Sequence, residues 1–169
     1  MKTRHMTTLG LLTGLALILF IVEAQIPPLV SIPGVKIGLA NIVTVFAVFW
    51  FGAKDGAMIL AARILLGAIF AGSFTSLMYS AAGGLAAVLA VIGLKVVLQR
   101  NQIWIAGCLG AIAHGIGQMA VAVPISGSPS VLIYLPVLVV CGIITGTFTG
   151  LCAQVLVNRG GKLWKTIFK

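Results

Sequence analysis

Apolar residues fill most of the chain and come in six runs, which short polar or proline- and glycine-containing stretches separate. A membrane-spanning helix needs about 20 consecutive apolar residues, within a range of about 17–25. The pattern therefore predicts six transmembrane helices. Their predicted bounds are 6–22, 35–51, 56–72, 76–98, 103–121 and 131–157.

The composition is typical of a chain that is surrounded by lipid. Of its 169 residues, 60% are hydrophobic and 8% are charged, whereas soluble domains carry about 25% charged residues. Backbone polar groups in lipid must be hydrogen-bonded within the protein, and no alternating barrel pattern is present, so the spanning segments are helical. The sequence predicts an all-α integral membrane protein, in which residues 1–169 form a single domain, a compact bundle of six transmembrane helices.

The basic residues are distributed unevenly over the two sides of this predicted bundle. With the N-terminus inside, nine of them fall on the cytoplasmic side and Lys36 falls outside. The nine are Lys2, Arg4, Lys54, Lys95, Arg100, Arg159, Lys162, Lys165 and Lys169. Because cytoplasmic loops carry an excess of Lys and Arg, both termini are predicted to be cytoplasmic, in a plasma membrane of prokaryotic type. The net charge of +9 then indicates membrane orientation and not binding to nucleic acid.

Most polar side chains that are not cytoplasmic charges fall in the outer half of the predicted bundle. The stretch 23–41 contains three prolines, which break the helical pattern between the first two apolar runs. This uneven distribution predicts an outward-opening vestibule that binds a small molecule. Its candidate binding residues at this level are Glu23, Lys36, Asn41, Ser76, Tyr79 and Tyr134.

Three further candidate binding residues lie within the predicted helices. His114 and Gln118 are four residues apart and share one helix face; they either form a buried pair between helices or line the ligand cavity. Arg63 falls within a span, where arginine costs about 2.5–3.5 kcal/mol on insertion scales and usually faces a partner or a wet cavity. It either extends to the cytoplasmic interface or has a binding role, with Glu23 or Asp55 as the available carboxylate.

Glycines recur at the four-residue spacing that lets membrane helices approach closely. Gly142, Gly146 and Gly150 are expected to pack inside the bundle. Gly10 and Gly14 have the same spacing, and their face could meet either another helix of the chain or a partner membrane protein.

Enzymatic chemistry has little support in the sequence. Glu23 and Asp55 are its two acidic residues, and the predicted topology puts them on opposite sides of the membrane, where they cannot act as an acid–base pair. The sequence has no GxxxxGK[ST] loop for nucleotide phosphates and no His, Cys and carboxylate cluster for a metal ion. The chain is predicted not to be an enzyme and to need neither metal nor cofactor.

Four stretches of the chain carry a family pattern: PGVKIGLANI (33–42), GSFTSLMYSAAG (72–83), GAIAHGIGQ (110–118) and YLPVLVVCGIITG (134–146). In these stretches, and over residues 9–156 as a whole, the chain resembles the family labelled heptaprenyl diphosphate synthase component I, also called the Gx transporter family. That family is similar to the S components of energy-coupling factor (ECF) transporters, which capture small molecules at the outer face of the membrane.

The resemblance implies a lipid-embedded subunit that works with a transmembrane T component and two ATPase subunits. It implies Gly10 and Gly14 as the face that docks on the T component. The implied cargo is a vitamin, a flavin, or an isoprenoid or quinone precursor. The family label supplies the alternative, a noncatalytic membrane component of a heptaprenyl diphosphate synthase.

Overall fold

A computed structural model describes the backbone of residues 2–26 and 38–167, and the side chains of residues 3–26 and 38–160. These residues form six α-helices and no β-strand. The helices are α1 (Lys2–Gln25), α2 (Leu39–Trp50), α3 (Ala53–Ala71), α4 (Phe74–Lys95), α5 (Ile103–Ser126) and α6 (Leu135–Ile167). Short 3₁₀ helices at Arg100–Gln102 and Pro129–Tyr134 precede α5 and α6. The predicted all-helical fold is confirmed.

The ends of the helices differ from the predicted bounds where local backbone chemistry decides them. α2 begins after Gly38, whose φ of 77° is a left-handed conformation that glycine adopts without steric cost. α5 runs through Pro124, beyond its predicted end, and stops before Gly127. α6 begins later than predicted, with Pro136 in its first turn, where the missing N–H costs no hydrogen bond.

Contacts at one end of the bundle show how the first four helices alternate in direction. His5 of α1 contacts Asp55 at the start of α3, with 3.2 Å between Nε2 and Oδ2. Lys95 at the end of α4 donates a hydrogen bond of 2.6 Å from Nζ to the carbonyl oxygen of Val48, near the end of α2. The starts of α1 and α3 therefore lie beside the ends of α2 and α4.

The start of α5 and the later part of α6 lie at this same end of the bundle. Asn158 donates from Nδ2 to Oδ1 of Asn101 over 3.4 Å, and a Cβ on Gly160 would touch the ring of Trp50 at the end of α2. We call this end of the bundle the basic end, and the opposite end the far end. The basic end is defined by Arg4, Lys54, Lys95, Arg100 and Arg159.

Helix α2 lies at the centre of the bundle and contacts the other five helices. One side of it, with Val43 and Ala47, packs against Ile59 of α3 and against α1. The other side, with Val45 and Val48, joins the largest buried cluster, which α3, α4, α5 and α6 complete. Every other helix thus packs directly around α2.

The outside of the bundle is apolar. Leu11, Ile69 and Phe74 are 72%, 75% and 75% exposed, which water would disfavour and lipid accepts. Four helical stretches among the described residues are long and apolar enough to cross a membrane, so the protein is a membrane protein: Thr3–Gln25, Phe74–Lys95, Arg100–Ser126 and Pro129–Gly160. α2 has 12 residues and α3 contains three charged residues, and that all six helices span the membrane stays a prediction.

Glycines let α5 and α6 approach until their backbones touch. A Cβ on Gly146 would lie 2.6 Å from Cβ of Ala111, and one on Gly107 would overlap Cα of Gly150. Gly142 has ordinary clearance, since its Cβ would lie 3.4 Å from the backbone of Ala111. The predicted internal role of the α6 glycines is confirmed. We call Gly107, Gly142, Gly146 and Gly150 the glycine seam.

Candidate functional site

Glu23 ties the end of α1 to the start of α2. Its side chain is buried, and its two carboxylate oxygens accept hydrogen bonds from the backbone N–H groups of Gly38, at 2.5 Å, and Leu39, at 2.9 Å. The first N–H groups of a helix have no partner within the helix and carry its positive dipole end. Glu23 caps α2 from a neighbouring helix. Sequence reasoning treated this residue as a candidate ligand contact and missed this structural role.

Arg63 is buried inside the bundle and extends toward the far end. Its guanidinium carbon lies 5.8 Å from the centroid of the Phe20 ring, and that ring packs against Gly67, one helical turn further along α3. Only 6% of Arg63 is exposed, and its guanidinium lies beside Phe20 of α1, so the side chain does not extend to the basic end. Of the two carboxylates, Glu23 and not Asp55 interacts electrostatically with it.

We call Glu23 and Arg63 the first group of candidate residues. His114 and Gln118 form the second group and lie against Gly83 of α4. A Cβ on Gly83 would lie 2.8 Å from Nε2 of His114 and 2.9 Å from Cγ of Gln118. The predicted shared face of this pair is thus confirmed, and it faces α4. Gln118 is 6% exposed, and its Oε1 has no hydrogen-bond partner in the part of the chain that the structure describes.

The remaining predicted site residues have different surroundings. Tyr79 packs against an apolar cluster of α5 and α6 that contains Met119. Ser76 is half-buried in the first turn of α4. Tyr134 ends a 3₁₀ helix and is 41% exposed. Lys36 lies outside the described residues.

A small cavity lies inside the bundle. It is lined by residues of α2 to α6, and its polar lining residues are Asn41, Thr44 and Thr149. The volume open to the centre of a water molecule is about 20 Å³, and about 10–15 Å³ suffices for one water. Gly110 and Ala111, which precede His114 by about one turn, form part of the opposite wall. Asn41 is thus a predicted site residue that lines this cavity.

Sequence reasoning missed both threonines of this cavity. Thr44 is 5% exposed, and its Oγ1 has no hydrogen-bond partner among the described residues. Thr149 donates from Oγ1 to the carbonyl of Gly146 over 3.2 Å. The available signal was the spacing of Thr44, three residues after Asn41 and hence on nearly the same face of α2.

The arrangement offers hydrogen bonds and charge to a ligand. In the described ranges no group of three or more His, Cys, Asp and Glu side chains could hold a metal ion. Buried polar atoms that have no hydrogen-bond partner within the described part of the chain include Thr44 Oγ1, Arg63 Nε and Nη2, and Gln118 Oε1. Since most buried polar groups in folded proteins are hydrogen-bonded, these atoms are candidate contacts for a bound molecule.

Comparison with known proteins places the chain in a family. One family model matches residues 12–156, a range that includes both groups of candidate residues. No curated protein and no solved structure matches the chain. The matching family is heptaprenyl diphosphate synthase component I, and the chain belongs to it.

Proposed function

We propose that this member of the heptaprenyl diphosphate synthase component I family is the substrate-binding membrane subunit of an ECF-type transporter. The observation that carries the proposal is the set of buried polar atoms on α2, α3 and α5 that have no hydrogen-bond partner among the described residues. All of them are buried inside the bundle, on residues other than those that define the basic end. A protein that only filled the membrane would gain nothing from them, because each costs stability unless a ligand satisfies it.

In this proposal all six helices cross a prokaryotic plasma membrane as one domain, with the basic end in the cytoplasm. Basic residues concentrate on that side of membrane proteins. The 12 residues of α2 span about 18 Å at 1.5 Å per residue, less than the hydrocarbon core of about 30 Å. The five helices that surround α2 shield its ends from lipid, which makes a short central helix acceptable.

The far end then faces outward and binds a vitamin, a flavin, or an isoprenoid or quinone precursor. The chain has no phosphate-binding loop, so ATPase subunits supply the energy through a transmembrane T component. The proposed substrate-binding residues are Glu23, Lys36, Asn41, Arg63, Ser76, Tyr79, His114, Gln118 and Tyr134.

Alanine at Asn41 or Gln118 is expected to weaken binding of the cargo by roughly tenfold each, the effect of losing one buried hydrogen bond. Native mass spectrometry of protein extracted gently from its own membranes identifies the cargo, and a binding titration then measures the affinity. Asn158→Ala is the matched control, because Asn158 is exposed at the basic end. Unchanged affinity in folded Asn41→Ala and Gln118→Ala proteins would contradict the proposed site.

Gly10 and Gly14 are the proposed docking face for the T component. A Cβ on either glycine would have no neighbour within 4 Å, so leucine at both positions fits the isolated subunit. Gly10→Leu/Gly14→Leu is expected to abolish co-purification of the T component and ATPases while the melting temperature stays unchanged. Gly93→Leu on α4 is the control, since Gly93 has equally open surroundings. Intact complexes with the double variant would exclude this docking face.

The family description supports a second candidate function, a noncatalytic membrane component of a heptaprenyl diphosphate synthase. This function predicts a co-purifying soluble subunit that is rich in carboxylates. It also predicts that essential residues lie at the basic end, in the cytoplasm. A preparation that carries such a subunit and no small molecule would favour the synthase function over transport.

A further inference from the structure

One edge of the Arg63 side chain is buried without a partner. Arg63 is 6% exposed, and its Nε and Nη2 have no hydrogen-bond partner among residues 3–26 and 38–160. These two nitrogens lie on the same edge of the planar guanidinium, and their N–H bonds point in nearly the same direction. Such an edge matches two oxygens of a carboxylate or a phosphate.

Neither carboxylate of the chain supplies those oxygens. Asp55 contacts His5 at the basic end. Glu23 acts on Arg63 electrostatically, but its two oxygens accept the backbone N–H groups at the start of α2. The negative charge of Glu23 is thereby partly balanced by the positive end of the α2 dipole, which amounts to about half a charge.

The surroundings of Arg63 favour an anion as the missing partner. The Phe20 ring lies beside the guanidinium and supports its positive charge without accepting hydrogen bonds in the plane of the group. A buried charged group without hydrogen bonds is costly, and inside a membrane protein it usually marks a functional site. An oxyanion at Nε and Nη2 satisfies both nitrogens at once.

We infer that the edge of Arg63 formed by Nε and Nη2 binds a carboxylate or phosphate group. This inference rests on the proposed function, since it assigns an anionic group to the cargo of the same site. The acceptor at Gln118 Oε1 then suits an O–H or N–H group elsewhere on that molecule. The headgroup of an anionic lipid has the same oxyanion chemistry and is the other source of the group.

The test compares amphiphilic probes that differ only in charge, on full-length protein in nanodiscs of phosphatidylcholine. Octyl phosphate and octanoate are expected to bind and to raise the melting temperature, since a ligand of the native state stabilises it, whereas octanol is not. Arg63→Gln is expected to lose roughly tenfold to a hundredfold in affinity for the anionic probes. Arg63→Lys keeps the positive charge but cannot donate two parallel hydrogen bonds to an oxyanion. Its affinity for the anionic probes is therefore expected to fall between that of the wild type and that of Arg63→Gln.

Arg100→Gln, an exposed arginine at the basic end, is the matched control and is expected to bind the probes like the wild type. Equal binding of octanol and octyl phosphate would overturn the inference, as would wild-type affinity in Arg63→Gln. If Arg63→Gln does not fold, Arg63→Lys with wild-type affinity overturns it equally.

Two further arms separate this inference from the proposed function. Nanodiscs that contain phosphatidylglycerol test whether the bound anion is a lipid headgroup. If that lipid competes with octyl phosphate, and native mass spectrometry finds no other bound molecule, the anion site is supported. The proposed transport function is then contradicted. If a neutral cargo is retained and depends on Gln118 but not on Arg63, the transport function stands and the anion site fails.

Discussion

Alanine at Gly107 is expected to destabilise the protein strongly, although it adds a single methyl group. The new Cβ would overlap Cα of Gly150 on α6, and neither backbone can rotate away as a side chain would. Overpacking of this kind typically costs about 1–3 kcal/mol, and a contact between two backbones belongs at the upper end of that range. Unfolding by denaturing detergent, followed by tryptophan fluorescence, measures the loss.

Two other glycines provide a graded control for this prediction. A Cβ on Gly142 would lie 3.4 Å from the α5 backbone, which is ordinary contact, so Gly142→Ala is expected to be nearly neutral. Gly93 of α4 has no neighbour within 4 Å of its Cβ position, and Gly93→Ala is expected to be neutral or slightly stabilising, because alanine favours helix. Equal losses at Gly93 and Gly107 would show that close packing at the glycine seam does not decide stability.

The order of the helices and the α6 side of the glycine seam could be predicted because both depend on local sequence periods, whereas Gly107 of α5 was not predicted. Apolar run length predicts helices, and the spacing of Gly142, Gly146 and Gly150 puts them on one face of α6. The helix ends were less predictable. The left-handed Gly38 and the proline in the first turn of α6 are backbone features that hydropathy does not report.

The candidate site was predictable where its residues share a helix. The spacing of His114 and Gln118 was enough to predict their shared face, which the contact with Gly83 confirms. The role of Glu23 was not predictable, because the N–H groups that it binds are 15 and 16 residues away. The direction of the Arg63 side chain depends on Phe20 of another helix, and no spacing in the sequence reports that contact.

Glutamine at position 23 is expected to cost far more stability than asparagine at position 55, although each change neutralises one of the two carboxylates. Glu23 is 8% exposed and binds two N–H groups of α2. The amide keeps a single acceptor and loses the charge that strengthens these hydrogen bonds, a loss of about 1.5–3 kcal/mol. It also leaves Arg63 without its nearby negative charge. Asp55 pairs with His5, whose side chain is 45% exposed, and such a pair contributes about 0–1 kcal/mol.

The size of the Glu23→Gln effect also reveals how Glu23 and Arg63 depend on each other. If the loss came from the α2 cap alone, Glu23→Gln and Arg63→Gln would add independently in the double variant. If part of it comes from leaving the buried guanidinium without compensation, the double variant loses less than the sum, by about 0.5–3 kcal/mol. We expect the second result from detergent unfolding of the four proteins without ligand, because Glu23 acts electrostatically on Arg63. Strict additivity would mean that Arg63 draws no stability from Glu23.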